Sequence, residues 1–175
     1  MIVQSVWLLV FVLNALIIYL TVLLNKGASY RPAGIVIWTF IIIYLPFTNQ
    51  PLLTGMPAWY LMGSILFLLG IAIGTSSWIL FLVTGISPYA RSPKKLVTDG
   101  PYTFVRHPQY LALVVMFIGI SIARGAVFAL YLIPVIIVLH GAASMIEEKA
   151  VLEKAFPNEY ASYRQRTGML LPRIK

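Results

Sequence analysis

The stretch from Ala58 to Thr84 carries no charged side chain, and a helix of that length is longer than the roughly 30 Å hydrocarbon layer of a bilayer. Further apolar runs cover Ile2–Leu24, Ile35–Phe47, Tyr110–Ala123 and Val127–Met145. A chain of 175 residues has no soluble core large enough to hide five such segments, and its composition agrees: 60% hydrophobic, 10% charged, mean hydropathy +0.89. Backbone groups in lipid must pair within their own segment, which leaves helices as the solution for runs of this kind. The expected fold is therefore an all-α integral membrane bundle of five transmembrane helices at 2–24, 35–53, 58–84, 108–123 and 126–146. A loop at 85–107 and a tail at 147–175 complete a single membrane domain over 1–175.

Ile2–Leu24 begins without a basic leader and ends at Asn25-Lys26 without a small-residue cleavage pattern, so it reads as a retained span rather than a signal peptide. Pro46 and Pro51 interrupt the second run and are expected to kink or unwind its end. Arg124-Gly125 alone separates the fourth run from the fifth, which predicts a tight helical hairpin. Lys26, Arg31, Arg91, Lys94, Lys95, Arg106 and the basic tail fall on one side if the N-terminus is outside, with Arg124 the exception. The reading is N-terminus out, C-terminus in, with the loop and the tail both cytoplasmic.

The formal charge of +8 is explained by bases flanking spans, where they meet anionic headgroups, and nucleic acid is not an expected partner. The absence of cysteine excludes disulfides, thiolate metal sites and cysteine nucleophiles. His107 and His140 lack the spacing of a zinc site, so no metal is expected. Gly-rich phosphate loops and a Gly-x-Ser-x-Gly elbow are also absent.

Two polar blocks remain. "RHPQY", Arg106 to Tyr110, opens the fourth helix with Pro108 suited to its first turn. "EEKAVLEKAF", Glu147 to Phe156, leaves the fifth. A hairpin returns the chain to its starting side, so Glu147 and Glu148 are expected beside His107. Composition alone favours the plainer reading, a snorkelling Arg106 that meets a glutamate at the membrane surface. In the tail, Leu152, Phe156, Tyr160 and Tyr163 form an apolar stripe that can lie along the interface or fold back under the bundle. Pro157 should divide the tail into a helix continuing to about Phe156 and a short one to about Arg166.

The blocks "KLVTDGPYTFVRHPQY" and "EEKAVLEKAFPNEYASYRQRTGMLLP" resemble the isoprenylcysteine carboxyl methyltransferase family, which includes phospholipid and small-thiol methyltransferases. The likeness covers the chain from about Lys94 onward and rests on Gly100, Tyr102, Arg106-His107-Pro108-x-Tyr110, the paired acids, "EYASYR" and Pro172. It implies S-adenosylmethionine bound at the cytoplasmic face, with S-adenosylhomocysteine as product, between the loop and the tail helix, and a lipophilic acceptor arriving from the bilayer. The implied cofactor-binding residues are Lys94, Lys95, Leu96 and Val97, where a histidine common in the family is replaced by Lys94. Tyr102, His107, Pro108, Gln109, Tyr110 and Glu148 complete the set, with Glu147 the second candidate for the acidic position. The prenylcysteine enzymes carry a substrate-carboxylate arginine one helical turn before that glutamate, where this chain has Ser144.

Methyl transfer to such an acceptor is an in-line displacement with a neutral thioether leaving group, which needs alignment and exclusion of water more than a strong acid or metal. No catalytic base is named by the sequence. Two other classes share features with it: NADPH-dependent sterol reductases, which carry a related Arg-His-Pro block but usually more spans, and a non-catalytic membrane protein of the same fold.

Overall fold

A computed structural model describes residues 44–53, 57–86 and 93–173. The span expected at 2–24, the start of the one at 35–53, and Lys26, Arg31 and Arg91 lie outside the described residues.

The described part is all-helical. α1 runs Pro57–Thr84, α2 Pro108–Arg124 and α3 Val127–Glu147, and α4 is the amphipathic Pro157–Arg166. Beyond Glu147 the helix widens into a π-helical turn, Glu148–Leu152, and resumes over Glu153–Ala155. α1 and the continuous helix Val127–Ala155 are long and apolar enough to cross a membrane. α2, at 17 residues, spans about 25 Å.

Proline and glycine set the hairpin's limits. Pro108 occupies the first turn of α2, where its missing N–H costs nothing. Gly125 closes the helix in the left-handed region (φ 61°, ψ 30°), and its N–H donates to the Ile122 carbonyl at 3.0 Å. A side chain at Gly125 would also strike the Leu53 carbonyl, 2.4 Å from where its Cβ would stand. Phe117, Val114, Ala126, Ala129 and Ile136 form the core between α2 and α3.

α1 meets α2 through small residues. Gly63, Gly70 and Ser77, each a heptad apart, are the buried positions of α1; Gly63 faces Gly119 and Ala123, and Gly70 faces Ala112 and Met116. Close backbone approach of this kind drives helix association in lipid, where burial of apolar surface gives no net force.

The helix expected over 35–53 does not reach its end. A 3₁₀ turn, Leu45–Phe47, follows Tyr44, and residues 48–53 run as an extended strap. Pro46 and Pro51 cannot donate to a helix, and the strap finds better partners on the hairpin. Leu53 N–H donates to the Gly125 carbonyl at 2.8 Å and Val127 N–H to the Pro51 carbonyl at 3.2 Å. Gln50 Oε1 accepts from the Phe128 and Ala129 N–H groups at 2.8 and 3.3 Å, while its Nε2 donates to the Leu45 carbonyl at 2.7 Å. The first turn of α3 has no cap from its own N-cap residue, so Gln50 serves as its cap from a distance. Gln50→Ala is expected to cost about 1–2 kcal/mol by orphaning these donors, measured as a lowered unfolding midpoint in detergent micelles. An unchanged midpoint would show that water replaces the amide.

Candidate functional site

The site is built where α2 begins and α3 ends. The loop that precedes α2 makes a 3₁₀ turn at Gly100–Thr103, burying Tyr102; the Tyr102 ring lies edge-on to Phe81 of α1 at 5.8 Å. Residues 105–107 then pair with the tail as a short parallel bridge. Arg106 N–H donates to the Gly168 carbonyl at 2.8 Å and His107 N–H to the Met169 carbonyl at 3.1 Å. Gly168 is required there, since a Cβ would overlap the Leu171 carbonyl.

The tail's apolar stripe folds back under the bundle. Tyr160 and Tyr163 are 1% and 4% exposed. The Tyr163 hydroxyl donates to the Tyr102 carbonyl at 2.5 Å, and burial pushes its pKa up to about 12, so it remains a donor across working pH. Tyr160, packed on Tyr163 at 6.1 Å, is pushed up too, by burial first and by the adjacent Glu148 charge second.

At the centre stands Glu148, 3% exposed. Its Oε1 accepts from Arg106 Nε at 2.9 Å and meets His107 Nε2 at 3.0 Å. Burial works to raise the Glu148 pKa, but the hydrogen bonds from His107, Arg106 and Tyr160 and the charge of Arg106 outweigh it and bring the value down to about 2. Arg106 also staples the tail, donating through Nη1 to the carbonyls of Thr167 and Arg164. Beside this group the Tyr110 hydroxyl donates to Glu147 Oε2 at 3.0 Å. The Tyr110 ring lies between the rings of His107 and His140, at 5.7 and 5.8 Å. Both glutamates thus reach α2, Glu147 to Tyr110 and Glu148 to His107, at the point where α3 gives way to the π-helical turn, an irregularity common at functional sites.

Of the residues expected at the site, the structure brings His107 and Glu148 together with Arg106, sets Tyr110 against His107 and Glu147, and ties Tyr102 to the tail through Tyr163; Pro108 and Gln109 lie in the first turn of α2. Lys94 and Lys95 are exposed on the loop and Leu96 and Val97 half-buried. Gln109 supplies a test of fit for a polar ligand: its side-chain Nε2 is buried and has no hydrogen-bond partner among the described residues, a donor that ordinarily demands one. With a buried carboxylate, aromatic faces and this amide, the donor set suits a molecule bearing an ammonium, a carboxylate and a sulfonium. Ser144 is fully buried, its hydroxyl donating to the His140 carbonyl at 2.8 Å, so it brings no charge to the place one turn before Glu148.

Sequence reasoning passed over His140 as an isolated histidine and read Tyr160 and Tyr163 only as part of an amphipathic stripe. The structure puts His140 against Tyr110 and both tyrosines beneath Glu148. The "EYASYR" block was the signal for the last two. A cleft of about 750 Å³ opens between α4 and the segment after it, with Arg106 and Tyr160 in its wall.

The sequence pattern of the phospholipid methyltransferase family matches residues 58–159, which extends the likeness from the loop into α1. The cobalt-zinc-cadmium resistance protein CzcN of Cupriavidus metallidurans is 28% identical over 109 residues, 61% of this chain and 48% of its own. Methanethiol S-methyltransferase 1 of Bradyrhizobium diazoefficiens is 32% identical over 81 residues, 46% of this chain and 27% of its own. Protein-S-isoprenylcysteine O-methyltransferase of Schizosaccharomyces pombe is 29% identical over 79 residues, 45% of this chain and 34% of its own. The matched stretch therefore spans about half or less of each of these relatives. No solved structure matches the chain.

Proposed function

The chain belongs to the phospholipid methyltransferase family, and from that premise we propose that it is an integral-membrane, S-adenosylmethionine-dependent methyltransferase acting on a lipophilic acceptor. In this reading five helices cross the bilayer with the N-terminus outside. The cofactor is held at the cytoplasmic ends of α2 and α3, under the loop 85–107 and the tail 147–175. One observation carries it: the Arg-His-Pro block and the paired acids, 41 residues apart between His107 and Glu148, close on each other at 3.0 Å in a buried cluster.

When bound, the cofactor supplies a methyl group on a cationic sulfur. The chain's part is to bind, orient and keep water out. Glu148 offers a fixed negative charge, held ionised by Arg106 and His107. Gln109 offers the buried amide donor, and the Tyr110 and His107 rings offer faces for a cation or a heterocycle. Tyr102 and Tyr163 close the loop on the tail and exclude solvent from the cluster.

The acceptor class follows from what surrounds the site. The names of the family and the relatives point to a phospholipid, a thiol and a prenylated cysteine. A carboxylate acceptor would want a cation, and Ser144 stands without charge where the prenylcysteine enzymes have arginine. The support is therefore stronger for a thiol or a lipid amine.

Calorimetry on the purified protein tests the reading. S-adenosylhomocysteine is expected to bind, and His107→Ala to weaken it about tenfold or more, a loss of at least ~1.4 kcal/mol, while the helical circular dichroism is kept. Binding of NADPH alone would replace this reading with a reductase, and binding of neither would leave a non-catalytic membrane protein.

A further inference from the structure

His140 is a buried ionisable group that cofactor binding leaves unused. It is fully buried on α3, seven residues before Glu147 and so about 10 Å further from the cytoplasmic end. The helix around it is long and apolar enough to cross a membrane, and ionisable side chains at such depth are rare and mark proton or substrate pathways. Its own helix fixes the tautomer. Nδ1 lies 2.8 Å from the Ile136 carbonyl oxygen, which can only accept, so in the neutral ring Nδ1 carries the proton and Nε2 the lone pair. The Tyr110 ring meets the His140 ring edge-on at 5.8 Å, and the Tyr110 hydroxyl donates to half-buried Glu147 at 3.0 Å. Imidazole, phenol and carboxylate thus succeed one another from the interior of the bundle to its cytoplasmic end. Beside them is room for a small group: a Cβ on Gly141 would reach, beyond its own helix and among the described residues, only the Met169 methyl at 3.8 Å.

Resting on the methyltransferase reading, we propose that His140 Nε2 is the general base of the reaction and that the acceptor is a neutral thiol. The thiol proton passes to Nε2 while the acceptor sulfur forms its new bond to the methyl carbon. The bond from that carbon to the donor sulfur breaks, and its electron pair stays on the donor as a neutral thioether. The imidazolium then releases its proton, with Tyr110 and Glu147 next in line toward water. Depth selects the acceptor. Charge is costly inside the bundle, and a thiol arrives uncharged and is ionised only as it reacts. A carboxylate would have to bring its charge in, and Ser144, one turn from His140, offers it no counter-charge. The titratable neighbours are few among the described residues: Tyr110 from α2, with His107 on the other side of its ring, and Glu147 and Glu148 two turns along α3. Leu45–Phe47, which also packs on α3, brings none.

The test uses the full chain in detergent micelles with dodecanethiol as acceptor. His140→Asn keeps a side-chain N–H for the Ile136 carbonyl and removes the basic nitrogen. It is expected to lower kcat for dodecanethiol about a hundredfold or more, the range of general-base catalysis, while S-adenosylhomocysteine affinity changes less than twofold. The pH profile separates a base from a packing residue. Parent activity should fall as acid protonates the ring, whereas the residual rate of the variant should follow the thiolate fraction in solution. Pentafluorothiophenol, already ionised at neutral pH, needs no base and should lose less than threefold. Nitrogen NMR of histidine-labelled protein gives a reading without turnover: with S-adenosylhomocysteine bound, adding dodecanethiol should move the Nε2 resonance assigned by its loss in His140→Asn. Should the asparagine variant lose its helical circular dichroism, His140→Gln carries the same expectations. Equal losses for the two thiols, an unchanged pH profile or an unmoved resonance overturn the proposal. A parent that binds S-adenosylhomocysteine but methylates no thiol overturns it too, and leaves the methyltransferase reading standing. A parent that binds no S-adenosylhomocysteine overturns that reading first.

Discussion

Glu148→Ala is expected to destabilise the protein by about 3–5 kcal/mol, because it strands the Arg106 guanidinium in a place 9% exposed with no counter-charge. The cost comes from the charge left behind more than from the bond lost. Arg106→Ala/Glu148→Ala together should therefore cost less than the sum of the two single changes, since neither ion is then abandoned. Arg106 would still be missed for its hold on the Thr167 and Arg164 carbonyls, so the double variant is not expected to reach wild-type stability. Urea unfolding in mixed micelles measures all three, and a loss below about 1 kcal/mol for Glu148→Ala would mean that water reaches Arg106 freely.

The same carboxylate sets an acid limit. Its folded-state pKa, about 2, lies below the ordinary 4.5, so the folded state binds its proton more weakly than the unfolded one. The stabilisation is complete above pH 4.5 and drains away as pH falls from 4.5 through about 2. Glu148→Gln removes the titrating group and should flatten this part of the stability profile. A profile equally steep with glutamine in place would put the acid sensitivity elsewhere.

Much of this cluster was legible beforehand because it depends on local signals. Pro108 and Gly125 fix where α2 starts and stops, and two antiparallel helices of nearly equal length bring residues at their outer ends together whatever their side chains. The approach of Glu148 to His107 follows from that arithmetic alone. Which glutamate faces which partner does not follow, because it depends on the π-helical turn over Glu148–Leu152, and nothing in "EKAVL" announces it. The strap at 48–53 was half visible: Pro46 and Pro51 marked the break, but the docking of Gln50 on the start of α3 is a contact across 78 residues of chain with no periodic trace. The face of α1 was invisible for another reason. That helix is apolar all round, so hydrophobic periodicity carries no information about which side meets protein and which meets lipid; small residues mark that side instead.

Those small residues yield the second large effect. At Gly119 a Cβ would stand 2.3 Å from the Phe67 backbone nitrogen and 2.8 Å from the Gly63 carbonyl oxygen, and at Gly63 it would stand 2.3 Å from the Ala123 nitrogen. Both obstacles are backbone, which no rotamer change can move, so α1 and α2 must separate along their length. Gly119→Val is expected to cost more than about 3 kcal/mol, at or beyond the upper end of ordinary overpacking, and to leave little monodisperse protein after extraction. Gly74→Ala is the control. Its Cβ would meet only the Ala112 methyl at 3.4 Å, and alanine's higher helix propensity offsets the tight fit by up to ~1 kcal/mol, so its unfolding midpoint should match or slightly exceed the parent. Gly70→Ala should fall between, since its nearest neighbour is the Met116 side chain at 2.5 Å but backbone atoms follow at 2.8 and 2.9 Å. If all three variants unfold together, the glycines are placed for helix flexibility rather than contact. The ordering Gly119, Gly70, Gly74 in destabilisation is what direct backbone packing requires.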